Sequence, residues 1–189
     1  MLLLVAGLLL WTATHLFSSL GRNARASVVA RIGLNPYKGL YSLMLVLALV
    51  LIVLGWRSIP PISVWLPPAG MRHLAMVLVP IAVILFISAR APTDIKQFIR
   101  HPQLTSVKLW AVAHLLTNGE QRSIVLFGGL LAWAVLEVIF INRRDGARVK
   151  PPRVGMARTV VTALIGLLVA AVLIVVHPWI AGRPVMVLG

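Results

Sequence analysis

The chain has 189 residues, of which 60% are hydrophobic and 12% are charged, and its formal net charge is +14. A soluble domain carries about 25% charged residues, so the composition argues against a soluble protein. The absence of cysteine excludes disulfides, iron–sulfur clusters, thiolate zinc sites and covalently attached c-type haem. Because the basic residues lie in short segments between apolar runs, we expect contact with a lipid bilayer and no binding of nucleic acid.

Apolar runs long enough to cross a bilayer recur along the whole chain. We therefore predict an all-α integral membrane protein with about six transmembrane helices, forming a single polytopic domain over residues 1–189. The predicted spans are 2–20, 39–56, 72–89, 103–118, 122–141 and 158–177. Pro102 is expected in the first turn of the fourth span, and Asn118-Gly119-Glu120 is expected to form a tight turn before the fifth. The first span lacks a preceding basic segment, so we expect it to be retained and not cleaved as a signal peptide.

The distribution of basic residues predicts the orientation of these spans. Most of the 18 Lys and Arg residues fall in the first, third and fifth connections, which the positive-inside rule assigns to the cytoplasm. Both termini are then predicted to be extracytoplasmic. The other side of the membrane would hold Arg57, Arg72, Arg122 and Arg183.

Two histidines inside apolar spans are the first candidate site residues, because an ionisable group in lipid is costly and by default marks a functional position. His15 belongs to a polar stripe of the first span that should face neighbouring helices. His114 shares a helical face with Trp110 and Asn118, which suits a cofactor pocket because one imidazole nitrogen can bind while a neighbour orients the other. For both histidines the alternative is a packing role with a hydrogen bond inside the bundle. The stripe around His15 consists of Trp11, Thr12, Ser18, Ser19 and Arg22.

The remaining ionisable residues in or beside the spans have less specific surroundings. His101, just before Pro102, is expected at a loop-to-helix junction, where a headgroup-level position and a cofactor or substrate contact are both open. His73 is assigned to the outer interface, and His177 to the end of the last span. Glu137 lies inside the fifth span and needs a partner, for which Lys108 or Arg158 is expected.

Several intramembrane histidines, no cysteine and only four acidic residues favour one cofactor, a haem held by neutral imidazoles. The faces of a porphyrin are apolar, and its propionates require cations, for which Arg22, Arg72 and Arg100 are candidates. The shortage of carboxylates argues against hard-metal catalysis and against paired-carboxylate chemistry.

Five segments of the chain resemble the bacterial NnrU family. The similarity covers about residues 1–144, with the predicted helix at 158–177 as an addition, and the fourth-span segment is its most specific part. Membership implies a multi-pass protein of the bacterial inner (cytoplasmic) membrane, associated with denitrification, that is, with nitrite and nitric oxide reduction. The segments are Tyr37-Lys38-Gly39-Leu40-Tyr41-Ser42, Arg72-His73-Leu74-Ala75, Arg100-His101-Pro102, the run from Val107 to Gly119, and Leu131-Ala132-Trp133-Ala134.

The NnrU family is similar to plant zeta-carotene isomerase, a haem b membrane enzyme that isomerises a cis double bond. This resemblance implies that His15 and His114 are the axial ligands of a haem b. The alternative cysteine ligand of that enzyme corresponds to Ala111 here, so the sequence departs from the pattern needed for ligand switching. Because His15 and His114 differ in depth on the predicted topology, His73 with His114 is the alternative ligand pair. The other candidate cofactor contacts are His101, Trp110 and Asn118.

Three functions of different class follow from these observations. The first is a haem b membrane protein of redox or nitric-oxide-linked metabolism, with an isomerase-like or electron-transfer role. The second is a non-enzymatic membrane factor that supports the expression or assembly of nitrite and nitric oxide reductases, so that denitrification proteins are its partners. The third comes from Arg100-His101-Pro102 followed by a helical hairpin, which also resembles membrane methyltransferases of the isoprenylcysteine type that bind S-adenosylmethionine.

Overall fold

The computed structural model describes residues 1–182 and residue 185 of the chain. This part contains no strand, and one isolated bridge joins Ser63 to Glu120. The prediction of an all-α protein is therefore confirmed. The helices are α1 (Leu2–Leu20), α2 (Arg22–Ile32), α3 (Leu34–Arg57), α4 (Met71–Ser88), α5 (Ile95–Phe98), α6 (Pro102–Thr117), α7 (Gln121–Asp145) and α8 (Met156–Ala181).

Five of these helices are long and apolar enough to cross a membrane, namely α1, α3, α4, α7 and α8. Their outward faces expose leucine, valine and isoleucine side chains, as contact with lipid requires. Helix α6 has 16 residues, which at 1.5 Å per residue makes it about 24 Å long, shorter than the ~30 Å hydrocarbon core. The structure thus supports five candidate spans, and the sixth stays a prediction.

The helices pack in the lateral order α3, α1, α7, α6, α4, α8, with each helix contacting its neighbours in this series. The closest approach is between α1 and α3, where a Cβ atom on Gly55 would lie 2.2 Å from the backbone nitrogen of Leu4. Glycine at such a crossing lets two backbones approach, as is common between membrane helices. Helix α7 lies in the middle of the series and contacts both α1 and α6, so its side chains reach both halves of the molecule.

Most basic residues gather at one end of the bundle, which we call the basic end. It contains the C-terminal ends of α1, α4 and α7 and the start of α6. Arg22 forms an ion pair with Asp145 at 3.1 Å, and the Arg100 guanidinium donates to the carbonyl of Gly146 at 2.9 Å. Pro102 occupies the first turn of α6, as predicted.

The other end of the bundle is closed by the turn between α6 and α7. The Gly119 carbonyl accepts hydrogen bonds from the backbone N–H groups of Val64 at 2.8 Å and Trp65 at 3.3 Å. A Cβ atom on Gly119 would lie 1.9 Å from the Trp65 carbonyl oxygen, so this close approach requires glycine. The predicted tight turn is confirmed. Arg183, which the charge pattern assigned to this side, lies outside the described residues.

Candidate functional site

His15 lies among aromatic rings contributed by three helices. Its Nδ1–H donates to the Trp11 carbonyl at 2.9 Å, which leaves Nε2 as the nitrogen with the free lone pair in a neutral ring. The ring centres of Trp11 on α1 and Trp133 on α7 lie 4.5 and 4.7 Å from that of His15, and the Tyr41 ring on α3 lies 6.1 Å away. At Trp11 and His15 the polar stripe therefore faces neighbouring helices, as predicted, whereas Arg22 lies in α2 and is exposed.

Glu137 lies next to this group, one helical turn beyond Trp133 on α7. Its side chain is buried, and its Oε1 accepts a hydrogen bond from the hydroxyl of Ser19, which also donates to the His15 carbonyl at 3.3 Å. The expected partners were Lys108 or Arg158. Among the hydrogen bonds and ion pairs of the described residues, the partner of Glu137 is Ser19. Helix α8 packs on α4, which keeps Arg158 away from α7.

Three buried polar atoms of this group have no hydrogen-bond partner among the described residues: Nε1 of Trp11, Nε1 of Trp133 and Oε2 of Glu137. An unpaired buried polar group costs about 1–3 kcal/mol, so its presence in a folded protein calls for an explanation such as a bound ligand or water. We call this group the His15 cluster. It consists of Trp11, His15, Ser19, Tyr41, Trp133 and Glu137.

His114 belongs to a second group, on the other side of α7. Its Nδ1–H donates to the Trp110 carbonyl at 2.8 Å, and its ring stacks on Phe127 with 4.4 Å between centres and 29° between planes. The ring of His177 on α8 lies 6.5 Å away at an angle of 30°. The Asn118 amide donates to the His114 carbonyl at 2.9 Å and so caps the end of α6. The His114 cluster consists of Trp110, His114, Phe127 and His177.

The structure places His15 and His114 in different clusters. His15 contacts Trp133 and His114 contacts Phe127, and these two residues are six positions apart on α7. Six residues correspond to about 9 Å along a helix axis and lie about 120° apart around it. His73, the alternative partner for His114, is exposed in the first turn of α4.

His101 belongs to neither cluster and lies at the basic end. Its Nε2–H donates to the Asn142 side-chain oxygen at 2.9 Å. It lines a cavity of about 490 Å³ together with Lys96, Arg100 and Arg148. His101 therefore occupies the loop-to-helix junction that was predicted for it. Its side chain faces polar groups at the basic end.

Sequence reasoning did not select His177, Trp133 or Tyr41 as site residues. The sequence did contain a signal for His177. Because successive spans alternate in direction, the fourth and the last span end on the same side of the membrane, and His114 lies near that end of the fourth span. Trp133 and Tyr41 lie within the segments that resemble the NnrU family, but an aromatic residue in an apolar span is ordinarily a packing residue.

A bundle of apolar helices that buries two histidine clusters between its spans defines a multi-pass helical membrane protein. The family model described as NnrU protein matches residues 3–185, and the chain belongs to this family. The match extends past residue 144 and includes α8. No curated protein and no solved structure gives a significant match.

Proposed function

We propose that this NnrU-family protein is a haem b protein of the bacterial cytoplasmic membrane, with His114 and His177 as the two imidazole ligands of the iron. Family membership supports the membrane location and, through the association of the family, a role in nitrite and nitric oxide metabolism. A bound haem would supply one-electron chemistry.

The observation that carries this proposal is the separation of the two rings. Their centres are 6.5 Å apart, a separation at which the two imidazoles could hold one metal ion, given metal–nitrogen bonds of about 2 Å. His114 also donates its Nδ1–H to a backbone carbonyl. Metal-bound histidines usually make this second hydrogen bond, because it fixes the tautomer that presents the other nitrogen.

The surroundings of His114 suit an apolar macrocycle. Phe127 covers one face of the imidazole, and Trp110 lies 4.8 Å from it. Helix α4, which packs against both α6 and α8, has Arg72 in its first turn at this same end, and this arginine offers a cation for a propionate. The donor set of two imidazoles without thiolate or carboxylate fits haem b.

The choice of His177 differs from the ligand pair implied by the plant enzyme. His15 is level with Trp133, about 9 Å along α7 from the level of His114. In addition, the position of the alternative cysteine ligand is the buried Ala111, which offers no ligand atom. We therefore favour electron transfer over isomerisation as the role of the haem.

An absorption spectrum of the purified protein, quantified as the pyridine haemochrome, tests the proposal. We expect about one haem b per chain, and loss of most of it in His114→Ala and in His177→Ala, since each removes one of two ligands. His73→Ala is the matched control, because this exposed histidine on α4 should leave the spectrum unchanged.

Two outcomes would contradict the proposal. If His15→Ala loses the haem while His177→Ala retains it, the pair implied by the plant enzyme is correct. If the wild-type protein has no Soret absorbance after haem supplementation, the non-enzymatic factor becomes the better explanation. Binding of S-adenosylmethionine at the His101 cavity would instead favour the methyltransferase.

A further inference from the structure

The His101 cavity at the basic end is walled by two connections of the chain. Its volume is about 490 Å³, and it is lined mainly by residues within the segments 96–102 and 145–151. Lys96 and Arg100 come from the first of these segments and Arg148 from the second, and all three side chains are partly buried. No residue of the His15 cluster or the His114 cluster lines this cavity. It is therefore separate from the proposed haem ligands.

Each arginine of the His101 cavity is held in place by the opposite segment. Arg100 donates to the carbonyl of Gly146 at 2.9 Å. In return, Arg148 donates to the carbonyl of Phe98 at 3.0 Å and to the carbonyl of Lys96. A guanidinium has five N–H groups, so both arginines keep donors that these carbonyls do not use. The cavity thus contains two positioned guanidinium groups with hydrogen bonds still to make.

The cations of the His101 cavity have no ion-pair partner within the described residues. None of Lys96, Arg100 and Arg148 forms an ion pair there, and the Lys96 ammonium also makes no hydrogen bond. Asp145 is the one carboxylate of the described lining, and it already pairs with two arginines outside the lining, at 3.1 and 2.7 Å. Like charges repel more strongly where solvent is partly excluded, so an anion in the cavity would stabilise this arrangement.

We propose that the His101 cavity binds a terminal phosphate group, that is, a phosphate attached through a single ester bond. Such a group carries about two negative charges and three strong acceptor oxygens. It can therefore accept hydrogen bonds from Lys96, Arg100 and Arg148 together, and the arginine fork matches phosphate geometry. A carboxylate has only two oxygens, in one plane. Helix α6 adds to the attraction, because Pro102 in the cavity wall is its first residue and no side chain caps this positive end.

Two sources of a terminal phosphate are available to a cavity at the end of a membrane bundle. Phosphatidic acid presents the group at the level of the lipid headgroups, and basic pockets between membrane helices on the cytoplasmic side bind anionic headgroups. A soluble phosphate monoester reaches the cavity from the aqueous side. The recognition chemistry is the same in both cases, so the experiment compares a lipid with its soluble headgroup.

Calorimetric titration of the full-length protein in phosphatidylcholine nanodiscs, with empty nanodiscs as the blank, makes this comparison. Dihexanoyl phosphatidic acid and dihexanoyl phosphatidylcholine have the same acyl chains, but only the first has a terminal phosphate. We expect saturable binding of phosphatidic acid, at least about tenfold tighter than that of phosphatidylcholine, since hydrogen bonds to a charged group are the stronger kind. Glycerol 3-phosphate is the soluble ligand. Equal affinity for it supports a soluble source, and much tighter binding of phosphatidic acid supports the lipid.

Two pairs of variants test the protein side. Lys96→Gln removes a cation that makes no other contact of its ammonium and should weaken phosphatidic acid binding about tenfold. Lys150→Gln is the matched control, because Lys150 is exposed and does not line the cavity, and it should change the affinity less than about twofold. Arg148→Gln and the exposed Arg153→Gln form the second pair, with the same expectation. Both members of a pair remove one positive charge from the basic end.

The proposal is overturned if neither phosphatidic acid nor glycerol 3-phosphate binds saturably, or if phosphatidylcholine binds as tightly as phosphatidic acid. It is also overturned if Lys96→Gln and Lys150→Gln bind phosphatidic acid equally well, which is the result expected of a general attraction to the basic end. The comparison of ligands on the wild-type protein needs no variant, so it stands even if Arg148→Gln fails to fold. Haem content of the wild type reports separately on His114 and His177.

Discussion

Arg122 is a buried charged residue that links two helices at the end of the bundle opposite the basic end. Its guanidinium pairs with Glu120 at 3.0 Å, lies 4.0 Å from the ring centre of Trp56, and donates to the carbonyl of Ile59. These contacts join the end of α3 to the start of α7. The charge rule assigned Arg122 to the extracytoplasmic side, at the start of the fifth span. In the structure this arginine is buried and links the two helices.

We expect Arg122→Gln to lower the free energy of unfolding by about 3 kcal/mol, because removing one partner of a buried ion pair is strongly destabilising. Unfolding by SDS titration in mixed micelles measures this difference. Arg57→Gln is the control: Arg57 is an exposed arginine at the end of α3, and its replacement should change stability by less than about 0.5 kcal/mol. Equal stability of the two variants would show that the contacts of Arg122 do not stabilise the fold.

The candidate site residues were predictable from the sequence to different degrees. His15 and His114 stand out because imidazoles are rare in lipid, and their helical neighbours follow from spacing alone. The partner of Glu137 did not follow, because Ser19 is 118 positions away in the chain and an uncharged hydroxyl gives no signal. The pairing of His114 with His177 depended on how α6 and α8 sit across α4.

At the scale of elements, the crossing of α1 and α3 depends on glycine on both helices. A Cβ atom on Gly7 would lie 2.8 Å from the backbone nitrogen of Ile52, and one on Gly55 would lie 2.2 Å from that of Leu4. Without side chains at these positions, the two backbones come into direct contact. The packed side chains of Leu4, Leu8 and Ile52 form the core on this side.

We expect Gly55→Ala to destabilise the protein by about 1–3 kcal/mol, because the added methyl group must push α1 away from α3. Gly39→Ala is the matched control in the same helix, since a Cβ atom there would meet nothing within 4 Å. That control should be neutral or up to ~1 kcal/mol more stable, because alanine favours the helix. The same SDS titration compares them, and an unaffected Gly55→Ala would mean that the helices do not cross this closely.

The boundaries of the elements were less predictable than their existence. Helix α3 begins at Leu34 and not at residue 39, and α7 continues to Asp145 beyond the predicted end at 141. In both cases the additional residues are polar. The apolar pattern therefore ends before the helical hydrogen bonds do. The helix α2 in the first connection was missed for the same reason, since three of its eleven residues are arginine.

At the scale of the whole molecule, the predicted orientation places the basic end in the cytoplasm. The chain has no cysteine, so single-cysteine variants report on sidedness without background. We expect a membrane-impermeant maleimide to label Ser63→Cys on intact spheroplasts, because Ser63 is exposed in the connection between α3 and α4.

Ala147→Cys is the matched probe for the basic end, since Ala147 is exposed between α7 and α8. It should be labelled only after the membrane is permeabilised. The reverse pattern would invert the orientation, and labelling of both variants on intact cells would contradict the positions of the spans. Gln121→Cys, beyond α6, should behave like Ser63→Cys if α6 crosses the bilayer.

The sequence by itself determined that this is a multi-pass helical membrane protein of the NnrU family, where its long apolar helices lie, and that His15 and His114 are inside them. These properties follow from local hydropathy, turn residues and charge, which act within one or two helical turns of the chain. Only the tertiary structure decided that His15 and His114 lie in separate clusters, that Ser19 meets Glu137 and that His177 lies beside His114. Such contacts depend on the lateral order of the helices, which brings together residues that are far apart in the chain. The periodicity of a single helix does not encode that order.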